Sequence, residues 1–347
     1  MTSLDLSRRD FLSRTLAAGA ALAASRLAIA SAAPAGPWQI ACYTRPWGAH
    51  DFRVALDAVA EAGYKHLGLM TINSPSKLVI SVTSTLEEAD KIGQEVRQRG
   101  LEIPSVYGGG FPVEKSLEEG IKGLRHLIDC CAAARARSLL LGGTGNEKSF
   151  SAYYKAVAEC CDYAATKKVG LEIKPHGGLN ATGPQVRNII AMVGKKNFTV
   201  CYDAGNIAFY SNGAIDPVKD AAAVDGLVTS WTIKDYSPTR RTPPAKPLPK
   251  GAKPPKYTGD VALTPGTGVV DFKAVFARLK QGGFRGGSLI VECLAPGEPA
   301  QLLAEAKKAK KFLEDLVAES SKNASRNPLV VPSTLPMSNE NRRSGCA

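Results

Sequence analysis

From Gln39 to Glu292, short apolar runs alternate with longer stretches in which apolar residues recur every three or four positions. The short runs predict strands at 39–43, 65–69, 102–106, 137–141, 170–174, 198–203, 228–234 and 288–292. The longer stretches read as amphipathic helices. In DFRVALDAVAEAGY, residues Phe52, Ala55, Leu56, Val59 and Ala60 fall on one helical stripe. The start and stop signals agree with this reading. Thr85 with Glu88 and Ser116 with Glu119 form capping boxes, and Asp271 opens DFKAVFARL. Gly63, Gly100, Gly170 and Gly283 each close a helix ahead of the next strand.

Eight strands alternating with helices predict a parallel sheet, and eight is the number that closes a barrel. The expected fold is therefore α/β, a single-domain (β/α)8 TIM barrel over residues 38–317. A doubly wound open sheet is the rival. It would carry a glycine-rich dinucleotide loop after the first strand, where this chain reads YTRPWGAHD without a G-x-G-x-x-G.

The 347 residues, 44% of them hydrophobic, suffice for one large core. The first 33 residues are set apart: Arg8 and Arg9 precede Phe11 and Leu12, then an alanine-rich apolar run and small residues around Ala33. That order matches a signal peptide, and the arginine pair resembles a twin-arginine (Tat) export signal. The expectation is a periplasmic or otherwise extracytoplasmic protein, carried by the Tat translocase and free of the membrane once the signal is removed. Residues 318–347 read as a polar, disordered tail.

The formal charge of +12 looks like a nucleic-acid signal until it is located. The signal segment carries +2, the tail +2, and the segment 237–257, SPTRRTPPAKPLPKGAKPPKY, carries +6 with no acid, which leaves +2 for the rest. A nearly neutral body with no basic stripe excludes nucleic acid as the expected partner. The Pro/Lys segment follows strand seven, on the barrel's C-terminal face, and reads either as a lid or as a solvated loop. The eight cysteines include the vicinal pairs Cys130/Cys131 and Cys160/Cys161 within helical patterns, where small thiols pack in the core.

The candidate chemistry gathers at strand ends. In LEIKPHGGLN, Glu172, Lys174 and His176 occupy alternate positions and therefore share one face of strand five. Strand six ends with Asp203 and Asn206, strand seven with Lys234 and Asp235, and strand eight with Glu292. Carboxylates at the ends of apolar strands are costly to bury unless they are paired or bound to a metal. Oxygen donors with at most one imidazole suit Mn or Mg, or else Co or Zn; an ion-pair cluster built on Lys174 and Lys234 is the other reading. Of the remaining histidines, His126 falls in a helix and His66 in strand two. Only His50 lies near the mouth, where Tyr43, Arg45 and Trp47 could line a sugar pocket.

The pieces LEIKPHGG, CYDAGN, TIKD, PGTGVVDF and IVE, in that order, resemble the xylose isomerase-like TIM barrels, the sugar phosphate isomerase/epimerase family. The resemblance spans about residues 38–310. It implies a divalent metal bound by Glu172, Asp203 and Glu292. The family's usual D-x-G-H and H-x-K-D have Asn206 and Thr232 where their histidines stand, so the familiar ligand set is incomplete, and His176 is the candidate for filling it. Glu172 and Glu292 are then the expected acid and base, with Lys174, Asn206, Lys234, Tyr43, Arg45 and Trp47 at the substrate. The implied activity is metal-dependent isomerisation or epimerisation of an unphosphorylated sugar or keto-sugar, by proton abstraction beside a carbonyl through an enediolate. β-Elimination of a keto-sugar such as a 3-keto-glycoside, or sugar binding without catalysis, are the alternatives, and a homo-oligomer is left open.

Overall fold

The computed structural model describes residues 38–239 and 257–326. The signal-peptide expectation and most of the Pro/Lys segment fall outside these residues. Eight parallel strands alternate with helices: β1 (Trp38–Tyr43), α1 (Phe52–Glu61), β2 (His66–Gly68), α2 (Leu86–Gln98), β3 (Val106–Tyr107), α3 (Leu117–Ala134), β4 (Ser138–Leu141) and α4 (Phe150–Thr166). There follow β5 (Gly170–Ile173), α5 (Gly183–Val193), β6 (Phe198–Asp203), α6 (Ala204–Tyr210), α7 (Pro217–Ala221), β7 (Val228–Ile233), α8 (Phe272–Gln281), β8 (Gly287–Val291) and α9 (Pro299–Arg326).

The strands are ordered β2-β1-β8-β7-β6-β5-β4-β3. Isolated parallel bridges between His66 and Glu102 and between Leu69 and Val106 join the two ends, giving a nearly closed barrel. Strand three is shorter than its pattern predicts. Pro104 has no N–H for a ladder, so the run 102–106 pairs only at single points before Val106.

The helix starts are chemically fixed. The Thr85 hydroxyl accepts from the Glu88 N–H while the Glu88 carboxylate accepts from the Thr85 N–H, and Thr182 makes the same box with Gln185. The main core lies between the strands and the ring of helices. A second, small cluster fills the barrel interior with Ala41, Tyr43, Met70, Leu140, Cys201 and Ile290, one layer of the inward-facing side chains that plug such barrels. The seven described cysteines are buried and unpaired.

The last helix corrects one boundary. It runs to Arg326, so residues 318–326 continue a helix instead of beginning a tail. Its buried positions Leu302, Ala306, Ala309, Leu313 and Leu316 face the main core, where the helix packs against α1, β1 and α8, and the Tyr64 hydroxyl donates to the Ala306 carbonyl at 2.9 Å. Among the described residues, no helix is long and apolar enough to cross a membrane.

Candidate active site at the barrel mouth

At the C-terminal ends of β5 to β8, five charged groups meet. The Lys174 ammonium lies 2.5 Å from Glu292 Oε2 and 3.4 Å from Asp203 Oδ2. The Lys234 ammonium lies 2.7 Å from Glu292 Oε1, 3.2 Å from Asp203 Oδ2 and 2.9 Å from Asn206 Oδ1. Arg45, entering from the loop after β1, places Nε 3.8 Å from Glu292 Oε1 and donates from Nη1 to Cys293 Sγ at 2.6 Å. All but Arg45 are buried.

Local structure sets this geometry. Asp203 ends β6 and caps α6, its Oδ1 accepting from the Asn206 N–H at 2.9 Å. Gly205 is required between them, because a Cβ there would stand 2.5 Å from the Lys234 carbonyl oxygen. Asn206 then spans two strands. Its Oδ1 accepts from Lys234 and its side-chain amide donates to the Pro175 carbonyl at 2.8 Å. Asn180 holds the turn above the site by donating to the carbonyls of Gly142 and Lys174, both at 2.9 Å. Gly177 has φ 78°, and its missing Cβ leaves room for the Tyr210 ring, which also meets His176 edge-on at 5.7 Å.

Charge and burial act against each other here. Burial alone would lower the Lys174 pKa, but Glu292 and Asp203 more than offset it, so the ammonium is held charged. Burial likewise opposes ionisation of Glu292, yet Lys174, Lys234 and Arg45 hold its carboxyl well below the usual range. Burial wins at Asp203, whose pKa is raised despite Lys234 and Lys174. Burial, with the nearby positive charges of Lys174 and Lys234, brings His176 down to about 3, so its imidazole is neutral at physiological pH.

Three expected site residues stand elsewhere. Glu172 is two residues before Lys174 and therefore one pleat deeper. Its Oε2 accepts from Ser138 at 2.8 Å and its Oε1 from Thr229 at 2.9 Å, hydroxyls at the starts of β4 and β7. It lies below the mouth cluster, because both hydroxyls anchor it near the strand starts. Trp47 ends the short 3-10 turn Arg45–Trp47 and is wholly buried in the main core. Tyr43 is in the interior layer, its hydroxyl donating to Ser105 at 2.9 Å, with its ring against Gly68. Thus Lys174, Asn206, Lys234, Asp203, Glu292 and Arg45 are brought together, His176 borders them, and Glu172, Tyr43 and Trp47 do not line the cluster.

A divalent ion held by Glu172, His176, Asp203 and Glu292 would need four lone pairs aimed at one point. Both Glu172 oxygens are occupied one pleat lower, and the Asp203 and Glu292 oxygens face two ammoniums. Among the described residues, no three His, Cys, Asp or Glu side chains are grouped to hold a metal ion. The residues present do not fit the divalent metal that the sequence resemblance implies.

Sequence reasoning missed Ser138, Thr229, Cys293 and Tyr210. Ser138 and Thr229 carried a weak signal, as polar residues at the starts of otherwise apolar strands. It named Asp235 without its role. That carboxylate accepts from the N–H groups of Tyr236, Gly266, Gly268 and Val270 at 2.7–3.1 Å, which explains the PGTGVVDF stretch: a Cβ on Gly268 would lie 2.4 Å from Asp235 Oδ1.

Residues 56–316 match the profile of the family described as "Xylose isomerase-like TIM barrel". No curated protein matches the chain. Among solved structures, a xylose isomerase domain protein from Planctomyces limnophilus is similar at TM-score 0.62 and 18% identity, covering 83% of this chain and 100% of its own. L-ribulose 3-epimerase is similar at TM-score 0.59 and 14% identity, covering 86% and 100%. D-allulose 3-epimerase from Methylomonas sp., solved with D-allulose, is similar at TM-score 0.57 and 16% identity, covering 80% and 97%. At these identities the likeness is one of fold.

Proposed function

The chain belongs to the xylose isomerase-like TIM barrel family, and from that premise we propose that it is a sugar isomerase or epimerase. Its substrate is an unphosphorylated sugar or keto-sugar, and its chemistry is proton abstraction beside a carbonyl through an enediolate. The observation that carries this reading is the arrangement of three cations, Arg45, Lys174 and Lys234, around two carboxylates at the barrel mouth. Removing a proton from carbon beside a carbonyl places negative charge on the carbonyl oxygen. Fixed ammoniums in a dry site stabilise that charge without reorganising as it forms. The epimerase names of two similar structures, both for sugar substrates, support the same class.

The proton steps follow from the same charges. At rest, Glu292 has little affinity for a proton because ammoniums surround it. As the substrate oxygen becomes anionic, Lys174 and Lys234 share their hydrogen bonds with it and the proton affinity of Glu292 rises. Glu292 is then the base, taking the proton from carbon and returning it to the neighbouring carbon for isomerisation. For epimerisation the proton added to the opposite face comes from a second donor, water or a substrate hydroxyl, and Glu292 keeps the one it took. His176, a neutral imidazole at the edge of the cluster, holds a substrate hydroxyl, and Tyr210 fixes the ring's orientation. No step here uses a metal ion. A Tat-exported, periplasmic enzyme would meet free sugars more often than phosphorylated ones, in keeping with a mouth in which carboxylates already occupy the lysines.

One observation favours a second reading. Both mouth carboxylates are already matched by lysines at hydrogen-bonding distance, as in a barrel that binds a sugar without turning it over. Proton exchange separates the two. Unphosphorylated ketoses and keto-sugars incubated with the protein in D2O should gain deuterium at the carbon beside the carbonyl, read by NMR. A protein that binds the sugar yet exchanges no hydrogen supports the binding barrel.

A further inference from the structure

The structure assigns Lys234 the part of a built-in cation: we propose that its ammonium fills a three-oxygen cage that would otherwise take a divalent ion, so that this mouth binds no metal. An ammonium has three donors and no acceptor. Here they meet three acceptors, Glu292 Oε1 at 2.7 Å, Asn206 Oδ1 at 2.9 Å and Asp203 Oδ2 at 3.2 Å. The Lys234 side chain is 4% exposed, so water does not compete for those oxygens.

The cage is held from outside itself. Asp203 is fixed by the Asn206 N–H, Asn206 by the Pro175 carbonyl, and Glu292 by Lys174 on its second oxygen. Two carboxylates and an amide oxygen are donors of the kind that suit Mg²⁺ or Mn²⁺. What keeps such an ion out is the lysine. To enter, it would have to push a buried ammonium from its three partners or add two positive charges beside Lys174, Lys234 and Arg45. Either leaves a buried charge uncompensated, which is strongly unfavourable.

The chain thus holds, in one side chain, the positive charge that a bound ion would supply. That this ammonium also acts on the substrate oxygen rests on the reaction proposed above; the occupied cage does not. The test therefore reads metal, not turnover. The full chain and its Lys234→Ala variant are equilibrated with MnCl2, freed of unbound ion, and analysed for manganese, with melting curves in Mn²⁺ and in EDTA.

The expected wild type carries no stoichiometric manganese and melts at the same temperature in both. The expected variant binds about one Mn²⁺ per chain and gains on the order of 5 °C from it. Wild-type protein that holds about one Mn²⁺ and loses stability in EDTA overturns the proposal, as does a folded variant that stays metal-free. If Lys234→Ala does not fold, Lys234→Gln takes its place, and the wild-type comparison decides the claim by itself. Loss of sugar turnover in either protein leaves these outcomes unchanged, so failure of the proposed reaction and failure of the cage are told apart.

Discussion

The Lys234 ammonium stands 2.7 Å from the Glu292 carboxylate, joining the end of β7 to the end of β8 inside the barrel mouth. Both side chains are nearly inaccessible to solvent, so each depends on the other for the partner it lost with water. Lys234→Met should cost about 3 kcal/mol of unfolding free energy, near the low end for breaking a buried pair because Lys174 still neutralises Glu292. Urea unfolding of the two proteins measures it. A cost near that of an exposed pair, below about 1 kcal/mol, would show that the cluster is open to water.

Glu172 and Glu292 give a second contrast. Glu292→Gln removes the proposed base and should lower turnover by at least about a hundredfold, within the span expected for a lost general base. Glu172→Gln keeps its hydroxyl partners Ser138 and Thr229 and lies below the charged mouth cluster, so it should stay within about tenfold of wild type. Steady-state rates on one sugar substrate suffice. Equal losses in both would place Glu172 back at the mouth.

That contrast also shows how far the sequence could be read. Strand positions, helix caps and the eightfold count were legible because they depend on local periodicity and local hydrogen bonds. The face of strand five was legible too, since alternation fixes which residues point inward. Height along the barrel axis was not. Glu172 and Lys174 have the same parity, and what draws Glu172 downward is a pair of hydroxyls 34 and 57 residues away in the chain. Trp47 misled for a related reason: it follows Tyr43 in a tight turn, where strand parity no longer holds, and the turn carries it into the outer core. Likewise, Pro104 broke a strand that apolar content alone predicted.

His176 should make the protein sensitive to mild acid. Its pKa is lowered in the folded state by burial and by Lys174 and Lys234, to about 3 against an ordinary 6.5. The unfolded chain therefore binds the proton more readily between these values. Stability is full above pH 6.5 and falls as pH drops below it. His176→Gln should remove that part of the acid sensitivity, narrowing the stability loss between pH 7 and pH 5 by on the order of 1 kcal/mol. Melting curves across that range check the sign; an identical pH dependence in both proteins would contradict it.

Asp235 should behave as the clamp of the loop that carries Gly266, Gly268 and Val270. Its carboxylate accepts four backbone N–H groups, including its own neighbour's. Asp235→Ala leaves those donors without their acceptor, at a cost of about 3 kcal/mol or more. Limited proteolysis should then cut first within 264–270. Unchanged proteolysis would mean that the loop is held by something else.

In the proposed reaction the charged cluster at the mouth drives proton exchange beside a sugar carbonyl. The most direct measurement is NMR of unphosphorylated ketoses in D2O with wild-type protein and Glu292→Gln, both in EDTA. Deuterium is expected at the carbon next to the carbonyl with wild type and almost none with the variant. Undiminished exchange in the variant, or exchange in wild type that EDTA abolishes, would contradict it.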